Sequence, residues 1–275
     1  MNSSLPKISI VTPSFNQAVY LEKCIKSVLT QNYPNLEYIV MDGGSTDGSV
    51  EIIKRYEPYI TYWQSQPDGG QAAAIGDGFQ RSTGELLSWI NSDDFLCKDA
   101  LFKVAESYQK NHLSGLFYGN SFWVDQVGNL RYPLIASSMM YRNWIYRTHS
   151  VFQGSVFFTH EAYVSINGIN RNLVYSMEYE LFWKIAKNFP TTYVSDFIAC
   201  FRDQPNSKGN KISHIGRQEF REILLNLENI DSETYKYKII SSLLRNKRRL
   251  FDKIFHPDRL FENYQTIFGE LTAIS

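Results

Sequence analysis

The sequence predicts an α/β domain built on an open, mostly parallel sheet flanked by helices, with a helical C-terminal extension. Three observations predict it. Apolar residues switch between short buried runs and helical spacing through the first half. A cluster of turn formers ends each of the first four runs. After about residue 213 the composition becomes helical and charged. With 275 residues, 43% hydrophobic and 20% charged, the chain can bury one large domain plus an appendage.

The elements follow in order. "KISIVTPSF" is a first strand, with Ile8, Ile10 and Val11, ending at Thr12-Pro13. "VYLEKCIKSVLTQ" spaces Val19, Leu21, Cys24, Ile25, Val28 and Leu29 as one helix face. "LEYIVM" is a second strand; "DGGSTDGS" is a turn, with Asp47 as N-cap of the helix in "GSVEIIKRYE". "YITYWQS" is a third strand, "AAAIGDGFQRS" a glycine-interrupted helix, "GELLSWI" a fourth strand and "KDALFKVAESYQK" an amphipathic helix. Further on, "GLFYGNSFWV" and "TYVSDFIACFR" read as strands. "SMEYELFWKIAKNF" reads as a helix with Leu181, Ile185 and Phe189 on one side.

In such sheets ligands bind beyond the carboxyl ends of the strands. The polar clusters "TPSFN", "DGGSTD", "QPDGG" and "NSDD" all lie there. The last places adjacent carboxylates, Asp93 and Asp94, at the mouth of an apolar run, which is costly without a cation or donors nearby. Strand-end carboxylates suit a hard divalent cation that shares phosphate oxygens, or a turn that caps the next helix.

Bulk properties narrow the classes. Lys+Arg and Asp+Glu are both 28, so no global field favours nucleic acid. Cys24, Cys97 and Cys200 form no CxxC pair, which points to small buried hydrophobes rather than a zinc site or disulfide framework. The opening "MNSSLPKISIV" lacks a signal-peptide layout, and no apolar run is long enough for a bilayer, so a cytoplasmic setting is the expectation.

In order and context, "ISIVTPSFNQAVYLEKCIKSVLTQNYPNLEYIVMDGGSTDGSVEII" and "QPDGGQAAAIGDGFQRSTGELLSWINSDD" resemble the family 2 glycosyltransferases with the GT-A fold. So do "FQGSVFFTHEAYVSINGIN", "YSMEYELFWKIA" and "FRDQPNSKGN", extending the resemblance over about residues 7–210. It implies a GT-A domain over 1–212, with a nucleotide-binding half near 7–98 and an acceptor half near 99–212, followed by the extension at 213–275. Thr12, Pro13, Ser14 and Asn16 would hold the nucleotide, largely through main-chain groups. Asp42 would read the base, uracil, with Ser45 nearby, and Asp68 would sit near the ribose or donor sugar. "NSDD" resembles the family's DxD motif with Asn91 at the first acidic position. Asp93 would then be the main ligand of Mg²⁺ or Mn²⁺, and Asp94 would turn toward the donor.

The resemblance also implies a base for the acceptor hydroxyl at Glu178, with Glu180 as the alternative; Glu replaces the more usual Asp. Gln204 stands where many relatives have His, and Lys208 and Arg202 would steady the diphosphate. His149 would line the acceptor cleft. The implied reaction is inverting transfer from a UDP-sugar to a saccharide or lipid-linked saccharide, in surface-polysaccharide synthesis. The tail "KYKIISSLLRNKRRLFDKIF" mixes apolar residues with the basic cluster Arg245, Lys247, Arg248 and Arg249. It suits a packed helix with a solvated basic face, a peripheral membrane contact on the inner face, or a homodimer. Two rivals stand beside this reading. A sugar nucleotidyltransferase would want a glycine-rich basic loop after the first strand, which "TPSFNQ" lacks. A non-catalytic nucleotide-sugar-binding module is suggested by Asn91 and Gln204.

Overall fold

The computed structural model describes residues 5–137, 141–146, 150–205, 213–255 and 261–273. The first half is a run of strand–helix units: β1 (Ile8–Ser14), α1 (Ala18–Leu29), β2 (Leu36–Asp42), α2 (Ser49–Tyr56), β3 (Tyr62–Ser65), α3 (Gln71–Arg81) and β4 (Leu86–Trp89). β1 pairs in parallel with both β2 and β4, and β2 in parallel with β3. The chain therefore steps outward to β3 and then returns to the other side of β1. That reversal between β1 and β4 is where an open α/β sheet forms a ligand crevice at its carboxyl edge.

The sheet continues into the second half. After β5 (Phe95–Leu96) and α4 (Ala100–Lys110) come β6 (Leu116–Val124), β7 (Leu130–Leu134), α5 (Tyr141–Ile145), β8 (Val156–Thr159), α6 (His160–Ser165), α7 (Met177–Asn188) and β9 (Thr191–Arg202). The nine strands run β3-β2-β1-β4-β8-β6-β9-β5, with β7 on β6. β8 is antiparallel to β4 and to β6, so β6 again points with β4, and β9 is parallel to β6. The sheet is mostly parallel.

Alternation along the strands serves two cores. Ile8 and Ile10 of β1, with Tyr38 and Val40 of β2, pack against α1, α2 and α4 through Ile25, Ile53 and Leu101. Val11, Ile39 and Met41 face the other way, toward Ile75 and Phe79 of α3 and Leu181 and Ile185 of α7. The glycines that interrupt α3 have a packing reason. A Cβ on Gly78 would lie 2.6 Å from Val11 Cγ1, so only glycine lets the helix sit this close to β1. One expectation shifts by a residue. Gly48, at φ +98°, is the N-cap of α2, and Asp47 accepts from the Ser49 amide one step outside it.

The C-terminal extension is helical: α8 (Ser213–Glu228), α9 (Tyr235–Phe255) and α10 (Phe261–Thr272). α8 and the start of α9 place Phe220, Ile223, Leu224 and Tyr237 in the same core as α7. α10 lays Tyr264, Ile267, Phe268 and Leu271 over Phe122, Phe197 and Cys200 at the far end of the sheet. Cys24, Cys97 and Cys200 are buried and free. Among the described residues, no helix is long and apolar enough to cross a membrane.

Candidate active site

Three loops are tied together at the carboxyl edge. Ser14 faces Asp42 across the β1–β2 ladder, and the Gly43 amide donates to the Ser14 carbonyl. Asp42 is buried and acts as a hub. Its Oδ2 accepts from the Gly44 and Ser45 amides and the Ser65 hydroxyl, and its Oδ1 from the Ser45 hydroxyl at 2.6 Å. Asn16, held at φ +51°, donates its amide to Ser45 Oγ and accepts the Thr46 amide on its side chain. Asp68 is exposed. It accepts from the Gly70 amide, and its Oδ2 would stand 3.2 Å from a Cβ placed on Gly43, so glycine opens that contact. The loops of Pro13–Asn16, Asp42–Thr46 and Asp68 thus lie together at the carboxyl edge.

Within that group the side chains differ in direction. Thr12 turns into the core, where its hydroxyl shares a hydrogen bond with Tyr38. Ser14 Oγ is buried and has no hydrogen-bond partner, an acceptor and donor held at the head of the crevice.

The "NSDD" segment connects β4 to β5, and its two carboxylates part ways. Asp94 is fully enclosed. Its Oδ1 accepts the Arg202 amide at 2.9 Å and its Oδ2 the Asn91 side-chain amide at 3.3 Å. The structure thus gives Asp94 internal partners, where the sequence reading had turned it toward the donor. Asp93 is half-buried. Its Oδ2 accepts from Gln204 Nε2 at 2.8 Å, and its main-chain carbonyl from Arg202 Nε. Burial raises the Asp93 carboxyl above the ordinary range, against the Gln204 hydrogen bond and the Arg202 charge. Burial, then repulsion from Asp93, raises Asp94 well above it.

Asn91, at the position expected to be acidic, is the clasp of this loop. It accepts from Gln71 Nε2 at the start of α3 and donates toward Gln153 Oε1, while Gln153 donates to the Trp89 carbonyl. Arg202, assigned to the diphosphate on sequence grounds, is almost fully buried. Its guanidinium donates to the carbonyls of Asp93 and Gln126, so it braces the loop from beneath. Lys208 and His149 lie outside the described residues.

A divalent cation fits Asp93. The carboxylate supplies hard oxygen donors and is only partly covered. Among the described residues no cluster of three or more His, Cys, Asp or Glu exists to cage a metal. A Mg²⁺-type site takes one or two carboxylates and completes its shell from water and substrate phosphate.

The acidic pair on α7 is also resolved. Glu180 is buried and ion-paired to Lys184 one turn on, at 3.0 Å. Glu178 is half-buried in the first helical turn, where the helix dipole favours its anion. The turn before it is clamped by a residue sequence reasoning missed. Glu219 of α8 accepts from the amides of Val174, Tyr175 and Ser176. Gln71 and Gln153 were missed too, since their partner Asn91 is 20 and 62 residues away and no local spacing marks such a contact.

Comparison with known proteins gives the chain its family. The sequence profile described as Glycosyl transferase family 2 matches residues 9–166, more than half of the chain. An uncharacterized glycosyltransferase of Haemophilus influenzae is 36% identical over 129 residues, 46% of this chain and 51% of that protein. A chondroitin synthase of Escherichia coli is 23% identical over 262 residues, 91% of this chain and 37% of the synthase. The chain thus spans about half or less of the length of these curated relatives. Among solved structures, S. aureus TarS in complex with UDP-GlcNAc matches with a TM-score of 0.64 at 15% identity, covering 93% of this chain and 75% of that one. The chain belongs to glycosyl transferase family 2 and carries the GT-A fold.

Proposed function

We propose that this protein transfers a sugar, with inversion, from a nucleotide-sugar (a UDP-sugar in the first instance) to a hydroxyl of a saccharide or lipid-linked saccharide. The observation that carries this is Asp93. It is a partly open carboxylate in the loop that follows β4, next to β1 in the sheet, and the loop after β1 is drawn to that after β2 by Asp42 and Asn16. The main chain of Pro13–Asn16 and Gly43–Ser45 would cradle the nucleotide, with Asp42 holding the shape of the base-reading turn and Asp68 at the ribose or sugar. Asp93 would hold Mg²⁺ or Mn²⁺, which when bound supplies positive charge against the negative charge that grows on the departing diphosphate.

Glu178 is assigned as the base. The acceptor oxygen bonds to the anomeric carbon as that carbon's bond to the diphosphate oxygen breaks, and the hydroxyl proton passes to the Glu178 carboxylate. Glu180, committed to Lys184, is left as a structural residue of the helix. The family of the chain and the polymer-forming name of the E. coli relative favour a place in polysaccharide synthesis. Exposed Ile239 and Leu243 on α9, among Lys236, Lys238, Arg245 and Lys247, support a peripheral contact with an anionic membrane on its cytoplasmic side.

The deciding experiment is a donor panel read by UDP and GDP release, with Mn²⁺ or Mg²⁺ and then with EDTA. Release from one UDP-sugar that stops with EDTA is expected. Glu178→Gln is expected to lower kcat by about 10²–10⁴-fold. Consumption of a nucleoside triphosphate with pyrophosphate release would instead favour a nucleotidyltransferase. Near-normal transfer by Glu178→Gln would remove Glu178 from the mechanism.

A further inference from the structure

A row of aromatic rings runs from the Asp93 loop to the edge of the sheet. β6 pairs Trp123 with Tyr132 of β7 on one side and with Phe201 of β9 on the other, so the three side chains stand abreast on one face. Trp123 and Tyr132 are stacked at 5.2 Å between centroids and 25° between planes. Phe201 meets Trp123 edge-on at 4.5 Å, and Phe152 meets Phe201 at 5.2 Å. The residues next in line, Phe122 and Cys200, point to the opposite face, where Phe268 of α10 covers them. The row is not covered to that degree. Trp123, Phe201 and Phe152 are half-buried and Tyr132 is 42% exposed.

Position ties this row to the reaction site. Phe152 immediately precedes Gln153, which contacts Asn91, and Phe201 immediately precedes Arg202, whose amide donates to Asp94 Oδ1 while its side chain turns to the opposite face. At the outer end the row is rimmed by polar groups, where Arg131 and Asp203 form an ion pair at 3.1 Å. A row of partly wet rings, inclined to one another by 25° to 67°, with a polar rim suits a ligand that is apolar on its faces and hydroxylated on its edges. A pyranose ring is such a ligand: its axial C–H groups pack on an aromatic face while its hydroxyls stay in water. A purely apolar partner would leave the ion-paired rim unused.

We propose that Phe152, Phe201, Trp123 and Tyr132 form an acceptor subsite, on which successive sugars of an oligosaccharide stack as its end reaches Asp93. This rests on the glycosyltransferase reading above, and the test is built to fail separately from it. The first readout is binding without turnover. Tryptophan fluorescence would be titrated with hexasaccharides of glucose, mannose, N-acetylglucosamine and an alternating hexosamine–uronic acid. One of these is expected to perturb the signal saturably, Tyr132→Ala to weaken that binding at least tenfold, and Tyr132→Phe to restore it. Where transfer is detected, Tyr132→Ala is expected to raise the acceptor KM at least tenfold for the hexasaccharide, with a far smaller rise for a monosaccharide acceptor. Tyr132 is exposed enough for its alanine variant to fold, which near-ultraviolet dichroism checks. No binding across the panel, or binding that Tyr132→Ala and Trp123→Leu both leave intact, would overturn the subsite even if donor hydrolysis is robust. Binding lost in Tyr132→Ala would uphold it even if no transfer is found.

Discussion

Asp93 and Asp94 show how one dipeptide divides two tasks. Asp94 spends both oxygens on the chain, gripping β9 through the Arg202 amide, and so fixes where Asp93 stands. Asp93 keeps a partly open carboxylate whose proton affinity burial has raised. A carboxyl raised in this way holds more protons folded than unfolded, so between the unfolded and folded pKa values stability falls as pH rises. Above that window the ionised group is a standing cost to the metal-free protein. Asp93→Asn, which retains an acceptor for Gln204, is therefore expected to raise the urea midpoint in EDTA at pH 7. The same variant is expected to lower transfer about 10²–10³-fold. Saturating Mn²⁺ should reverse the order of stability, since a ligand stabilises only the form that binds it. Equal Mn²⁺ stabilisation of parent and variant would take Asp93 out of the metal site.

At the scale of elements, the first four strands are joined by polar ties as well as apolar packing. Glu37 of β2 lies buried against the β1 and β4 ends. Burial works to raise its pKa, but the Lys7 ion pair at 2.9 Å, the Ser9 hydroxyl and the amide and hydroxyl of Thr83 outweigh it and hold the group at about 2. A depressed carboxylate stabilises fully above its unfolded pKa, and this contribution fades as pH falls toward the folded value. Glu37→Gln is expected to cost about 2–3 kcal/mol at pH 7 by urea unfolding, with the gap closing between about pH 4.5 and pH 2. A constant gap across that range would mean the loss is packing rather than charge. These same elements were the legible part of the chain, because α1, β2 and β4 announce themselves by apolar period and turn residues. The short strands were not. β8 is four residues and β5 two, and each is a strand only because β4, β6 and β9 lie beside it. The site divides likewise: motif order put forward Asp42, Asp93 and Glu178 and gave Arg202 another role, whereas the contacts of Gln71, Gln153 and Arg202 are ones that only folding brings together.

For the whole molecule, the C-terminal helices are part of the fold that holds the site. α8 sends Phe220, Ile223 and Leu224 into the core shared with Trp183 and Phe182 of α7, and Tyr237 of α9 donates to the Ile145 carbonyl. Each such side chain contributes about 1.5–3 kcal/mol when buried, so together they rival the 5–15 kcal/mol by which an ordinary domain is stable. Glu219 adds a polar tie. Without its carboxylate the amides of Val174, Tyr175 and Ser176 lose their acceptor at the entrance to the helix that carries Glu178. A chain ending at residue 212 is therefore expected to lack a cooperative urea transition and to bind a hydrophobic dye, despite retaining every strand of the sheet. In the 275-residue chain Glu219→Ala should remain folded but lose about 1.5–3 kcal/mol, with a fall in kcat greater than any rise in donor KM, because the proposed base at Glu178 would move while the proposed nucleotide loops would not. A truncated chain with a sharp transition and intact donor hydrolysis would show instead that residues 1–212 stand alone and that α8 merely leans on them.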